Sequence, residues 1–312
     1  MTGECPLPCP SPARGEGRGG ARPPAVSGKR SACISFLAVV SLIVSAAQAA
    51  EWRLDGALTQ GGLVRGAAVP GARITLDGKP VALAPDGGFV IGFGRDARPT
   101  ATLAVTWPDG RRETRALAIA PRSYRIQRID GLPERKVTPA PADLVRIRAE
   151  SALLRKARER ATPESWFRGG FVWPASGRIS GIYGSQRILN GKPRRPHLGV
   201  DIAAPVGTPI VAAADGVVAL AHADMFFTGR TLVLDHGLGL GSVYAHMSAV
   251  SVKPGDRVRR GQRVGAIGRS GRVTGPHLHW SLTWFDERLD PSLAVAPVPV
   301  ALGAEVGPAG RR

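Results

Sequence analysis

Gly275-Pro276-His277-Leu278-His279-Trp280-Ser281-Leu282-Thr283-Trp284 is the stretch that decides the fold. Its Gly-Pro pair ends a turn and opens a strand. In a strand, residues i and i+2 share a face. Both imidazoles then point into one cleft while Leu278 packs into a core. The same texture continues outward. Residues 215–221, 230–235 and 242–246 are strand-like, and 253–258 and 261–265 are turn-strand units. Nearly every turn from Phe171 onward carries Gly, Pro or Asp, so residues 170–292 read as an all-β domain with little or no helix.

Residues 51–130 read as a small β-sandwich. Pro70-Gly71, Asp77-Gly78, Asp86-Gly87 and Asp109-Gly110 punctuate short apolar runs at regular spacing. No catalytic constellation lies here, and a targeting or spacer role is expected. Residues 131–169 form a linker. Leu144, Ile147 and Leu154 recur there at near-helical spacing among many Arg and Glu, with Pro141 just ahead. That predicts one amphipathic helix over about 142–160, packed as a linker rather than arching over the next domain as an arm. Residues 293–312, with Pro297, Pro299 and Pro308, read as a disordered tail. The whole is mainly β.

The first 50 residues read as an extension and a secretory signal. Lys29 and Arg30 precede an uncharged stretch, 32–50, with an apolar centre from Ile34 to Val44 and then Ala47-Gln48-Ala49. A basic flank, a short apolar run and an A-x-A site are the three parts of such a signal. The run is short for a spanning helix, which needs about 20 apolar residues. Cleavage after Ala49 or Ala50 is expected, the rival being an uncleaved anchor, and a start near Val26 is one reading of residues 1–28. All three cysteines, Cys5, Cys9 and Cys33, would leave with the signal, so the mature chain needs no disulfide in an oxidising compartment.

The 312 residues carry a formal charge of +18, of which residues 1–50 hold +3. The remaining positive charge is spread along the chain, which implies attraction to a polyanion such as a cell wall. No Lys/Arg-rich block is interleaved with aromatics, which argues against nucleic acid.

All six histidines, His197, His222, His236, His246, His277 and His279, fall in the final β domain. His197 and Asp201 stand four apart, and Pro196, Gly199 and Pro205 favour an extended path between them. A carboxylate with imidazoles and no thiolate suits a divalent transition metal, zinc best. Three protein ligands leave a position for water, the pattern of a catalytic site. Spacing alone allows either His of the His277-Leu278-His279 pair to bind the ion. His236, in a turn, reads as structural, and His222 as a surface residue. Tyr183, Tyr244 and Trp280 either shape the cleft or fill the core.

Four motifs in order give this chain a resemblance to the lysostaphin/LytM-type zinc endopeptidases over residues 170–292. They are Trp173-Pro174 with Gly177-Arg178-Ile179-Ser180-Gly181-Ile182-Tyr183-Gly184; His197-Leu198-Gly199-Val200-Asp201; Asp235-His236-Gly237 with Tyr244-Ala245-His246-Met247; and Gly275-Pro276-His277-Leu278-His279-Trp280. The resemblance implies a barrel-sandwich-like domain built on a duplicated hybrid motif. It implies His197, Asp201 and His279 as zinc ligands, with His246 and His277 catalytic. It also implies a periplasmic enzyme acting on peptidoglycan stem peptides, at D-Ala–diaminopimelate cross-links. Some relatives have lost these residues and only activate cell-wall amidases; that alternative conflicts with the intact set here.

Overall fold

The runs Leu63 to Ala67 and Gly88 to Gly92 are the middle of the first half of the molecule. The computed structural model describes residues 52–296. The expected signal segment, the cysteines and the tail beyond residue 296 lie outside the described residues. Strands β1 (Arg53–Gly56), β2 (Leu63–Ala67), β3 (Arg73–Leu76), β4 (Lys79–Val81), β5 (Gly88–Gly92), β6 (Thr100–Thr106) and β7 (Arg112–Ala118) form two antiparallel sheets. Their orders are β1-β2-β5 and β4-β3-β6-β7. Asp77 and Gly78 both take positive φ, 48° and 79°, as a two-residue hairpin between β3 and β4 requires. Val64, Ile74, Phe89, Ile91, Leu103 and Val105 are buried together between the sheets. Every residue of β5 is buried because the strand walls two cores. Phe89 and Ile91 face the first core, and Val90 faces the second.

The second half is built on one large sheet. Strands β9 (Arg178–Gly181), β12 (Val200–Ala203), β14 (Gly216–Met225), β15 (Gly229–Gly237), β16 (Leu240–Val250), β17 (Arg257–Val258) and β19 (His277–Trp284) run in the order β17-β14-β15-β16-β19-β12-β9. β13 (Pro209–Val211), β18 (Arg263–Ile267) and β20 (Glu287–Leu289) join off this path. The second core gathers Val200, Ile202, Leu232, Leu234, Tyr244, Leu278 and Trp280. Tyr244 and Trp280 thus belong to that core, and Tyr183 is buried with its hydroxyl donating to Arg288 O at 2.6 Å.

Three expectations need correction. Strand β8 (Ile126–Ile129), read as the end of the first sandwich, pairs in parallel with β10 (Gln186–Leu189). β10 in turn pairs with β11 (Lys192–Pro193). Between β8 and β9 come a short helix α1 (Glu134–Val137) and the linker helix α2 (Pro141–Arg158), which has Pro141 in its first turn. α2 packs on β14 and β15. Its covered face runs Asp143, Ile147, Glu150, Leu154, Ala157, so Leu144 is exposed. Polar anchors supplement the apolar stripe, whose Leu154 and Ala157 pack on Val233 and Val243: Arg135 grips Asp143, and Glu150 accepts from Phe226 N at 2.7 Å. Finally, residues 293–296, read as loose, are packed. Asp290 accepts from Ser292 N at 3.0 Å, Trp173 Nε1 donates to Ala296 O at 3.0 Å, and Ala294 and Val295 pack on the second core. No described helix is long and apolar enough to cross a membrane.

Candidate metal centre

β12 lies between β9 and β19, and its register with β19 sets Asp201 opposite His279 and Ala203 opposite His277. Period-two alternation puts Asp201, His277 and His279 on one face. It sends Val200, Ile202, Leu278 and Trp280 into the core. His197 is not on the strand; it sits in the loop before it, which bends at Gly199. Two backbone bonds fix that loop, His197 N to Ser185 O at 2.8 Å and Gly184 N to His197 O at 2.7 Å. A Cβ on Gly199 would lie 2.6 Å from Trp280 O and 2.7 Å from the His279 ring, so only glycine lets the loop come this close.

Three potential ligand atoms then converge. His197 Nε2 is 3.0 Å from Asp201 Oδ1 and 3.0 Å from His279 Nδ1, and His279 Nδ1 is 2.8 Å from Asp201 Oδ1. A tetrahedral zinc site with bonds of about 2.0–2.1 Å has edges of about 3.3 Å, a few tenths of an ångström wider. Protonation also suits a metal. His197 Nδ1 faces Ile182 O at 3.1 Å; a carbonyl only accepts, so Nδ1 holds the proton and Nε2 offers a lone pair. Burial pushes the His197 pKa down to about 4, although Asp201 pulls the other way. Burial alone would raise the Asp201 carboxyl, but hydrogen bonds from His197 and His279 hold it well below the ordinary value. Neutral imidazole and ionised carboxylate are the forms that ligate.

Arg187, on β10, donates to Asp201 Oδ2 at 3.2 Å, on the side away from the two imidazoles. Sequence reading missed it, because one Arg among 42 Lys and Arg carries no signal. The hairpin that places it did have one. Asn190-Gly191 between β10 and β11 is a strong two-residue turn signal, and both residues take positive φ, 47° and 76°.

His246 and His277 stand beside the cluster. His277 Nε2 is 3.9 Å from Asp201 Oδ1, and the His246 ring is 4.8 Å from that of His277 and 6.2 Å from that of His279. Each has its Nδ1 committed to a carbonyl, His246 to Ser270 O at 2.8 Å and His277 to Gly275 O at 2.9 Å. Nε2 is therefore the atom each has free for chemistry. His246 adopts φ 64°, uncommon for a residue with a Cβ. It sits where β16 changes neighbours, pairing with β19 through Ala245 and with β18 from Met247. Burial, then the nearby His277 and His279, hold its pKa well below the ordinary value.

The other two histidines lie apart. His236 is fully buried, with Nδ1 2.6 Å from Asp215 O and Nε2 2.7 Å from Ser242 Oγ, as a structural residue should be. His222 is half-buried rather than freely exposed, and its Nδ1 accepts from Asp224 N at 3.2 Å.

Residues 195–291 match the model of Peptidase family M23. Peptidoglycan DD-endopeptidase ShyA of Vibrio cholerae is 42% identical over 106 residues, 34% of this chain and 24% of that protein. DD-carboxypeptidase/endopeptidase Mpg of Neisseria meningitidis is 39% identical over 105 residues, again 24% of its own length. The match to these two curated relatives thus spans about a quarter of each. A solved Pseudomonas aeruginosa structure assigned to peptidase M23 is 31% identical, with 75% of this chain covered, 93% of that one, and a TM-score of 0.60. The chain belongs to peptidase family M23. Peptidases of M23 are metallopeptidases, and this member carries a His-Asp-His cluster whose ligand atoms lie within 4.8 Å of one another. The M23 likeness to the Pseudomonas structure reaches well beyond the 195–291 match.

Proposed function

We propose that this M23 chain is a zinc-dependent endopeptidase that hydrolyses peptide cross-links of bacterial peptidoglycan, at the bond between D-Ala and diaminopimelate. One observation carries the reading: a three-atom N/O cluster stands beside two further imidazoles whose Nδ1 atoms are tied to carbonyls. His197, Asp201 and His279 would hold the ion, and an N/O set without thiolate fits zinc. When bound, zinc supplies Lewis acidity toward the scissile carbonyl and lowers the pKa of water. His246, neutral at neutral pH, accepts the proton of the attacking water at Nε2 and passes it to the leaving amine. His277, in its imidazolium form, donates from Nε2 to the oxygen on which negative charge develops.

The names of the curated relatives supply the bond class, and the basic chain suits an anionic wall. The partners would be peptidoglycan stem peptides in the periplasm, with no role for nucleic acid. Purified protein loaded with zinc should convert cross-linked muropeptide dimers to monomers on a chromatogram, and a chelator should stop it. Unchanged dimers with a zinc-loaded protein would sink the reading. They would leave a wall-binding or amidase-activating protein.

A further inference from the structure

The loop from Gly268 to His277 carries both carbonyls that orient the two non-ligand imidazoles, on Ser270 and Gly275. Arg272 stands between them. Its backbone N–H donates to Phe227 O at 2.8 Å, and its guanidinium lies over the Phe227 ring, 4.5 Å from the centroid. Only one long hydrogen bond engages that guanidinium among the described residues, from Nη1 to Lys136 O at 3.4 Å. Arg194 faces the same segment of chain, donating to Val137 O at 3.1 Å and Thr138 Oγ1 at 3.3 Å. Arg187 completes the group at Asp201.

Among the described residues no carboxylate pairs with Arg272 or Arg194, in a chain where many other arginines do have such a partner. The one acid in this group, Asp201, is committed to the two imidazoles and Arg187. Burial, with Arg187 and Arg194 adding to it, pushes Arg272 down to about 10, so it remains charged at neutral pH. A desolvated guanidinium facing only neutral acceptors lacks the charged hydrogen bonds it makes best.

We propose that Arg272 is a specificity-determining residue that binds a carboxylate of the substrate next to the scissile peptide bond, with Arg194 adding to the attraction. The assignment rests on the peptidase reading above. The carbonyl oxygens of Lys136 and Val137 occupy the acceptor positions here, and an ionised carboxylate is the stronger partner for both guanidiniums. The chemistry of the cross-link fits. In a D-Ala–diaminopimelate bond, the carbon bearing the scissile nitrogen also bears a carboxylate. A single residue on the loop between the two histidine anchors can therefore read that group while the chemistry proceeds beside it.

The test uses the full-length zinc-loaded protein and two purified cross-linked muropeptide dimers. One has that carboxylate free; in the other it is a carboxamide. The carboxylate dimer should be cut with a kcat/KM roughly ten- to a hundredfold higher, the worth of one charged hydrogen-bonded contact. The difference should lie mainly in KM, since the contact is made before and during the reaction. In Arg272→Gln the ratio between the dimers should collapse toward one, and in Arg272→Lys, which keeps the charge, a preference should return. Equal cleavage of both dimers by the parent protein overturns this assignment alone. So does an Arg272→Gln protein that loses rate on both equally, which would mean a structural role. Cleavage of neither dimer overturns the peptidase reading, and this assignment with it.

Discussion

At the scale of single residues, the proposed ligands are set apart by convergence: His197 Nε2 and His279 Nδ1 meet at Asp201 Oδ1, while the His246 and His277 rings stand beside them. His279→Ala removes one of the three converging atoms, so metal content measured after dialysis should fall well below one equivalent. His277→Ala should keep its metal and lose roughly a hundredfold or more in rate on muropeptide dimers. Equal metal loss in both would show that the pair is not divided in this way. Arg187→Met should leave Asp201 Oδ2 without its donor and weaken metal affinity by about 10–100-fold in a chelator competition. Much of this site was legible. His197, Asp201 and the His277-Leu278-His279 pair stood out by type and spacing, because alternation in a strand is a local property. Which nitrogen each imidazole presents was not, since it depends on carbonyls of Ile182, Ser270 and Gly275 that no side-chain pattern encodes. Nor was the positive φ of His246, which follows from a strand exchanging one neighbour for another.

At the scale of elements, the segment from β8 to α1 is tied to the β10–β11 hairpin by the β8–β10 pairing, by Lys192 and Arg194, and at its middle by one amide. Asn190 accepts from Leu132 N at 3.2 Å and donates to Leu132 O at 2.7 Å. Leu132, Val137 and Leu189 close a small apolar cluster under it. Asn190→Gly keeps the positive φ of the turn and deletes both bonds. It should lower stability by about 1–3 kcal/mol and speed amide exchange across residues 130–138. Unchanged exchange there would show that the other ties hold the segment without that amide. The strands of the two halves were legible from turn residues and alternation. The β8–β10 pairing was not, because Ile126-Gln127-Arg128-Ile129 has no distinctive local pattern and its partner lies some sixty residues away. The face of α2 was misjudged by one position for a related reason: Asp143 and Glu150 are covered through ionic and backbone partners, not through hydrophobicity.

At the scale of the whole molecule, a buried polar network pins the second core. His236 joins Asp215 O to Ser242 Oγ, and the Ser242 hydroxyl lies 3.1 Å from that of Tyr244. Burial pushes His236 down to about 4 from 6.5. A depressed His binds its proton more readily in the unfolded chain, so stability is full above pH 6.5 and is lost as pH falls toward 4. The loss for this one group is on the order of 3 kcal/mol. Thermal unfolding followed from pH 7.5 to 4 should show the decline, and His236→Gln should make it shallower, with His197 and His246 keeping their share. The parallel pairing of β8 with β10 bears on which part of the molecule can be exchanged as a unit. A chimera joined at residue 170, or at the family match starting at 195, would strip β10 of its partner or lose it altogether. An open edge of that kind recruits other chains. Such a fusion should therefore aggregate on light scattering, and so should one joined near residue 123, which strips Leu63 and Val90 from the second core, whereas one that keeps the chain from residue 52 should stay monodisperse. The portable unit of this peptidase takes in both halves of the described molecule, not only the region by which its family is recognised.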